Sequence, residues 1–590
     1  MMAARSTVWR DNAFAAGLAV LLAAGWAFQD WSPLSALRLP DTDDAMRLQQ
    51  IRDWIGGQPF GDLAQHRLGL AGLEMHWSRL PDLIPATINM LLTPLTGVQG
   101  AELAAVLIWP ALLFMAALIL IGSLARRLGV SAPVAIVIAA LAYPANTLFL
   151  PGRIDHHGLQ LVLCLLLVRA AIGAAGWRAG AVAGLASVTS LVVGMEALPI
   201  LVAGGALILW RWVVADDEQQ QLTGYAVALA GGLLAAAWLF RTSGWSYPAC
   251  DGFGAAAWRA AQIGAMAPLG LALAGRWLSG WHRRLLFAVG AGVIAGWVAL
   301  AASPGCLSPY GGVDPLLSRL WLDRVAEAQP LFASPVSQAV GYAGLAVVGL
   351  AATLWMWRRT GAACWGMLAW FQAASLALTL LQLRGVYPGA MLAAPALAGV
   401  IAAARRRGVV PLAVAWIASA GFLYPLAGGL LQTSGDPEML GAGMCDVPQA
   451  VDLLRQYPAG TVAGPIDLGA WALAGTPHRL LAAPYHRNTD GIRLSWRLML
   501  SPKQRAEALA RTHGIGFLVD CPGAYRELGA LPANSLLHRL RTGDVPDWLE
   551  PLPGTGRGVA IWRVRVGNRH SSLYPLRQSP SRLRGDGAAR

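Results

Sequence analysis

The sequence predicts a polytopic α-helical membrane protein with about 13 transmembrane helices, followed by a small α/β domain outside the cytoplasm. Three observations carry this. Of 590 residues, 56% are hydrophobic and only 13% charged, with a mean hydropathy of +0.50, outside the usual range of soluble chains. Apolar windows of about 19 residues, enough to cross a hydrocarbon core of roughly 30 Å, recur along the first three quarters of the chain. Beyond residue 432 they give way to short apolar runs bounded by Gly, Pro and Asp.

Splitting the apolar windows at charges and prolines places spans near 13–29, 102–123, 131–150, 158–172, 180–194, 196–214, 222–240, 259–275, 285–302, 337–357, 362–383, 386–404 and 409–431. The first follows Arg5 and Arg10 as a signal peptide would. It reads as a retained helix, because WSPLSAL is a poor cleavage site and many spans follow. With the N-terminus in the cytoplasm, Arg126-Arg127, Arg178, Arg211, Arg283-Arg284, Arg358-Arg359 and Arg405-Arg406-Arg407 all fall on the cytoplasmic side. Membrane topology thereby accounts for much of the net charge of +13. No tract interleaves basic and aromatic residues, so nucleic acid is not expected as a partner.

This orientation puts a long first loop (30–101), a polar turn at 152–157, a loop at 303–336 and the region after 432 on the outer side. The unusual polar residues concentrate there. Cys250 and Cys306 lie in outer loops and Cys445 and Cys521 in the outer C-terminal region, so the expected disulfides are Cys445 with Cys521 and Cys250 with Cys306. The transmembrane part is taken as 1–431 and the α/β domain as 432–566. The segment 567–590, rich in Arg, Ser, Pro and Gly, reads as a disordered basic tail.

The candidate chemistry lies in the outer segments. Gly152-Arg153-Ile154-Asp155-His156-His157 interrupts two long apolar runs, where charge needs a reason. Asp155 and His157 can turn a carboxylate and an imidazole to one cation, or can belong to a plain solvated turn. Asp41, Asp43 and Asp44 stand at the start of an amphipathic stretch. One acid suffices for an N-cap, and the surplus suits a divalent ion. Arg384 precedes an apolar run as a phosphate-reading or a snorkelling arginine would. His478, Tyr485, His486, Arg487 and Asn488 form a polar cluster that either faces a site or serves ordinary domain structure.

Further phrases carry a likeness. Asp41 lies six residues before Arg47, and GLEMHWSRLPDLIPA contains His76-Trp77. GRIDHHGLQ holds the D-H-H, DRVAEAQP holds Glu327, LQLRGVYPGAMLAAPA holds Arg384, and GPIDLG holds Asp467. Together these resemble the catalytic subunit of the oligosaccharyltransferases, especially the archaeal form, in the GT-C superfamily of polyprenol-dependent glycosyltransferases. The resemblance implies metal ligation by Asp43 or Asp41 with Asp155 and His157, the metal being Mn or Mg. It implies catalytic roles for Asp41, Asp43 and Glu327, and donor-phosphate binding by Arg384. Asp467, His478, His486 and Arg487 fall on the acceptor side.

The chain departs from the family's pattern in two places. Gln160 stands where archaeal members have an acid, and Asp467 retains only D-x-G of a motif that otherwise carries two tryptophans. The expected function is inverting transfer of a sugar or oligosaccharide from a polyprenyl (di)phosphate to a glycan, lipid or protein acceptor. It would act as a single subunit on the periplasmic face of a bacterial inner membrane. The alternatives are a metal-independent transferase using a polyprenyl-monophosphate sugar, and a lipid-linked glycan transporter or flippase.

Overall fold

The computed structural model describes residues 2–307, 313–432, 445–554 and 558–565; the expected basic tail lies outside them. Each predicted span falls on a helix. Among the described residues, seven helices are long and apolar enough to cross a membrane, or eight if the bent pair Val409–Ser419 and Leu423–Gly429 is one span. The expected count of about 13 is therefore not reached on length and composition. The difference lies mainly in short helices such as His157–Ala171, Trp177–Val193 and Leu198–Val214, of 15 to 17 residues. At 1.5 Å per residue these span roughly 23–26 Å, under the ~30 Å of hydrocarbon.

Small residues bring these helices together. A Cβ at Gly180 would collide with the Gln221 carbonyl, and one at Gly224 with that of Trp177. The helices Trp177–Val193 and Gln219–Leu239 thus meet backbone to backbone, the close approach that van der Waals packing within lipid favours. The helix Leu83–Arg127 is broken at Gly97, whose φ of 72° is left-handed, so its first part serves the outer loop and its second part the bundle.

The C-terminal region forms a five-stranded mixed sheet in the order β4-β3-β5-β7-β6. The strands are β3 (Thr461–Ala463), β4 (Arg479–Leu480), β5 (Ile515–Asp520), β6 (Leu549–Pro551) and β7 (Ala560–Val564). The first loop contributes a small antiparallel pair, β1 (Ala64–Gln65) with β2 (Leu73–Glu74), and its Leu68 bridges Leu480 of β4. Arginines of the first loop complete the contact. Arg52 donates to the Ala474 carbonyl at 2.8 Å, and Arg67 to those of Leu473 and Thr476 at 2.9 and 2.8 Å. They satisfy carbonyls left open at the C-terminal end of the helix Gly469–Gly475, where positive charge is also favoured.

Both expected disulfides form, Cys250–Cys306 and Cys445–Cys521. The second closes a sequence separation of 76, so Cys445→Ser with Cys521→Ser should cost about 4 kcal/mol through the freed unfolded chain. Chemical denaturation of the oxidised and doubly substituted proteins checks this. Equal midpoints would refute it.

Candidate active site

The first-loop helix Thr42–Ile55 begins at the three acids, and each takes a different role. Asp41 is the N-cap, accepting from the Asp43 N–H at 3.1 Å. Asp44 is fully buried and accepts the N–H groups of Ile154 and Asp155 at 2.8 Å each, fixing the 152–157 turn to this helix. Asp43 is left half-exposed in the crevice between them. Burial within the surrounding protein and the charges of Asp41 and Asp155 push its carboxyl up to about 8.

Arg153 occupies the centre of these acids. Its Nη1 lies 2.7 Å from Asp41 Oδ2 and 3.4 Å from Asp44 Oδ2, and its Nη2 2.7 Å from Asp155 Oδ2. Burial raises the Asp44 carboxyl well above the ordinary range, whereas Arg153 and His157 outweigh burial at Asp155 and hold it well below. Asp155 is fully engaged. Its Oδ1 accepts the His157 N–H at 3.0 Å, and its Oδ2 meets both Arg153 and His157 Nδ1, the latter at 3.1 Å. The opposite ring nitrogen, His157 Nε2, is buried without a hydrogen-bond partner.

His157 lines a small cavity of about 50 Å³. Leu161, Ile200 and Leu378 give it an apolar wall; Glu196, Arg384 and Tyr387 supply polar groups beside His157. Glu327, on the turn Ala326–Ala328, reaches to 4.0 Å from Arg384 Nη1, and its charge acts on both Asp43 and His157. Five residues from four separate stretches thus converge: Asp43, Asp155 with His157, Glu327 and Arg384.

The resemblance implies a divalent ion here, and the residues do not fit one. Among the described residues no three His, Cys, Asp or Glu are grouped to hold a metal. A guanidinium stands among the carboxylates, and both Asp155 oxygens are taken. Gln160, in place of an acid, turns its amide to the Gly194 carbonyl at 2.9 Å and accepts from the Ser190 hydroxyl at 2.5 Å. In this arrangement Asp155 positions His157 and pairs with Arg153.

The C-terminal candidates separate. His478 is corrected to a structural residue: it is fully buried, with Nε2 2.8 Å from the Leu454 carbonyl and Nδ1 accepting the Gly460 N–H at 3.1 Å. Asp467 lies exposed on the turn Ile466–Leu468. His486 and Arg487 both bind Asp251, at 2.6 Å and, through two nitrogens, at 2.6 and 2.7 Å. They clamp the C-terminal region to the loop near Cys250, and burial with the neighbouring His486 holds His76 well below the usual imidazole range. Tyr485 reaches the acids, donating to the Thr42 carbonyl at 3.2 Å and packing edge-on to Trp77.

Three functional candidates escaped the sequence reading. Glu196 binds His156 at 3.3 Å and lines the cavity, and its signal was an acid inside the apolar run VVGMEALPI. Arg153 was visible in the polar turn but not its partners. Tyr387 carries no sequence signal beyond its nearness to Arg384.

No family model matches the sequence, and no curated protein does. Solved structures do. The archaeal oligosaccharyltransferase AglB from Archaeoglobus fulgidus, in complex with an inhibitory peptide and a dolichol-phosphate, aligns with a TM-score of 0.64 at 14% identity, covering 87% of this chain and 69% of that one. The Archaeoglobus fulgidus oligosaccharyltransferase tethered with an acceptor peptide containing the NVT sequon gives 0.62 at 15% over the same shares. Its complex with Zn and sulfate gives 0.57 at 15%, over 85% and 67%. The chain therefore shares the fold of these archaeal oligosaccharyltransferases, a polytopic α-helical membrane protein carrying a small α/β region.

Proposed function

We propose that this chain is a membrane glycosyltransferase that moves a sugar or oligosaccharide from a polyprenyl (di)phosphate to an acceptor, with inversion at the anomeric carbon. It acts as a single subunit at the outer face of a bacterial inner membrane, with the N-terminus cytoplasmic and the C-terminal region periplasmic. The observation that carries the reading is the cavity with an apolar wall and Arg384, Glu196 and His157 at its polar end, beside the half-exposed Asp43. An isoprenoid tail suits the wall, and a phosphate suits the guanidinium fork.

In the step, the anomeric carbon–oxygen bond to the carrier phosphate breaks and its electron pair stays with the phosphate. The acceptor oxygen forms the new bond from the opposite face, and its proton passes to Asp43 as general base. Glu327 orients the acceptor. Arg384 and His157 stabilise the charge gathering on the leaving phosphate. The expected Mn or Mg takes no part in this scheme. Because D-x-G at Asp467 lacks the family's tryptophans, the acceptor is a glycan, a lipid-linked saccharide or a protein hydroxyl, not a sequon peptide.

Transfer in a reconstituted system, with membrane extract as donor and acceptor source, tests the reading. A glycosylated product identified by mass spectrometry is expected from the wild type. Arg384→Ala should lower kcat/KM about 10–100-fold, the cost of one charged phosphate contact. Liposome uptake of a lipid-linked glycan without any covalent product would replace the transferase by a transporter, and transfer to an Asn-x-Ser/Thr peptide would overturn the acceptor assignment.

A further inference from the structure

Four acids converge where the first-loop helix meets the 152–157 turn, and carboxylates so close need a cation among them. The structure supplies one covalently. Arg153 touches Asp41, Asp44 and Asp155 together, with a side chain only 15% exposed. Its own backbone belongs to the turn that Asp44 binds at Ile154 and Asp155, so cation and anions are fixed to the same scaffold. The position where an acidic ligand is expected holds the neutral Gln160, which bonds Gly194, Ser190 and the Glu196 carboxylate.

We propose that the Arg153 guanidinium is the resident counter-ion of this site, taking the place of a divalent metal, and that His157 meets the carrier phosphate directly. The inference rests on the transferase reading given above. Arg153 is a positioning residue: it holds Asp155, and Asp155 in turn accepts from His157 Nδ1, which leaves the buried, unpartnered Nε2 on a ring that lines the donor cavity. With Asp155 on one side and a phosphate oxygen on the other, the ring donates from both nitrogens. This relay has the logic of a carboxylate that orients a histidine. The negative charge that the breaking bond leaves on phosphate is then met by His157 and Arg384, and no further ion enters the balance.

The test pairs Mn²⁺ binding, followed by electron paramagnetic resonance on the purified full chain, with transfer in excess chelator. The wild type should leave the free-ion spectrum unchanged and transfer equally well with and without chelator. Arg153→Lys, which keeps the charge, should behave like the wild type in the Mn²⁺ titration. Arg153→Ala should lose transfer about 100-fold. It should also acquire Mn²⁺ binding at the three freed carboxylates, with Mn²⁺ restoring part of the activity.

A wild type that binds Mn²⁺ and loses transfer in chelator overturns the proposal. A wild type that makes no product in any condition sinks the transferase reading alone, because the contrast in Mn²⁺ binding still decides what Arg153 does. If Arg153→Ala aggregates, the wild-type spectrum and the chelator comparison decide it.

Discussion

Asp43→Asn should lower transfer by about 10²–10⁴-fold, the usual worth of a positioned general base. Of Asp41, Asp43 and Asp44, the first caps its helix and the last holds the 152–157 turn, which leaves Asp43, held by the Tyr485 hydroxyl, for that work. Its carboxyl, pushed up to about 8 by burial and by Asp41 and Asp155, is largely protonated at neutral pH. A base must be ionised to accept a proton, so kcat/KM should rise with pH and level off above about 8. The Asn variant should lose that rising limb along with its rate, whereas Asp41→Asn, acting on a cap, should keep the limb. A flat wild-type profile between pH 6 and 9 would remove Asp43 from the role.

The second large effect concerns stability. Arg47 is fully buried and pairs with Asp82 at 2.6 Å, while Arg79, also fully buried, lies 3.5 Å from the same carboxylate. Arg47 stacks over Trp77 at 4.6 Å, and its Nε and Nη2 already lack partners. Asp82→Ala would leave two guanidinium groups without their carboxylate inside the first loop. The cost should be about 3–5 kcal/mol, that of an uncompensated buried charge. Replacing Arg47 by Met together with Asp82→Leu should recover only about half of it, since Arg79 stays buried without its carboxylate. Denaturant midpoints of the two variants check both statements. A loss under about 1 kcal/mol for Asp82→Ala would mean that Arg79 and Arg47 find water.

Much of this architecture was legible in the sequence for a simple reason. A bilayer demands long apolar runs, and polar residues between them are costly enough to be noticed. Thus the turn at Asp155 and His157, the acids at 41–44 and Arg384 stand out by position, and Glu327 by the family resemblance alone. What the sequence did not disclose were pairings between distant segments. Arg153 and Asp41 are 112 positions apart, and Asp251 and Arg487 are 236 apart. His478 misled because buried histidines and site histidines share one letter; only its bonds to Leu454 and Gly460 distinguish it. The count of about 13 spans is not confirmed by length and composition, because helices such as His157–Ala171 are shorter than the hydrocarbon core.

The arginines that reach from the first loop into the carbonyls of the helix Gly469–Gly475 bear on how such a protein can change over generations. They bind main-chain oxygens, so what they fix is the path of the backbone at 473, 474 and 476, while burial separately constrains the side chains of Leu473 and Thr476. Insertions or deletions between residues 65 and 76 would have to be matched by a shift near 471–488. Drift in the lengths of these two segments is therefore shared, and Leu68, Leu73 and Leu473 tie their letters together through a common core.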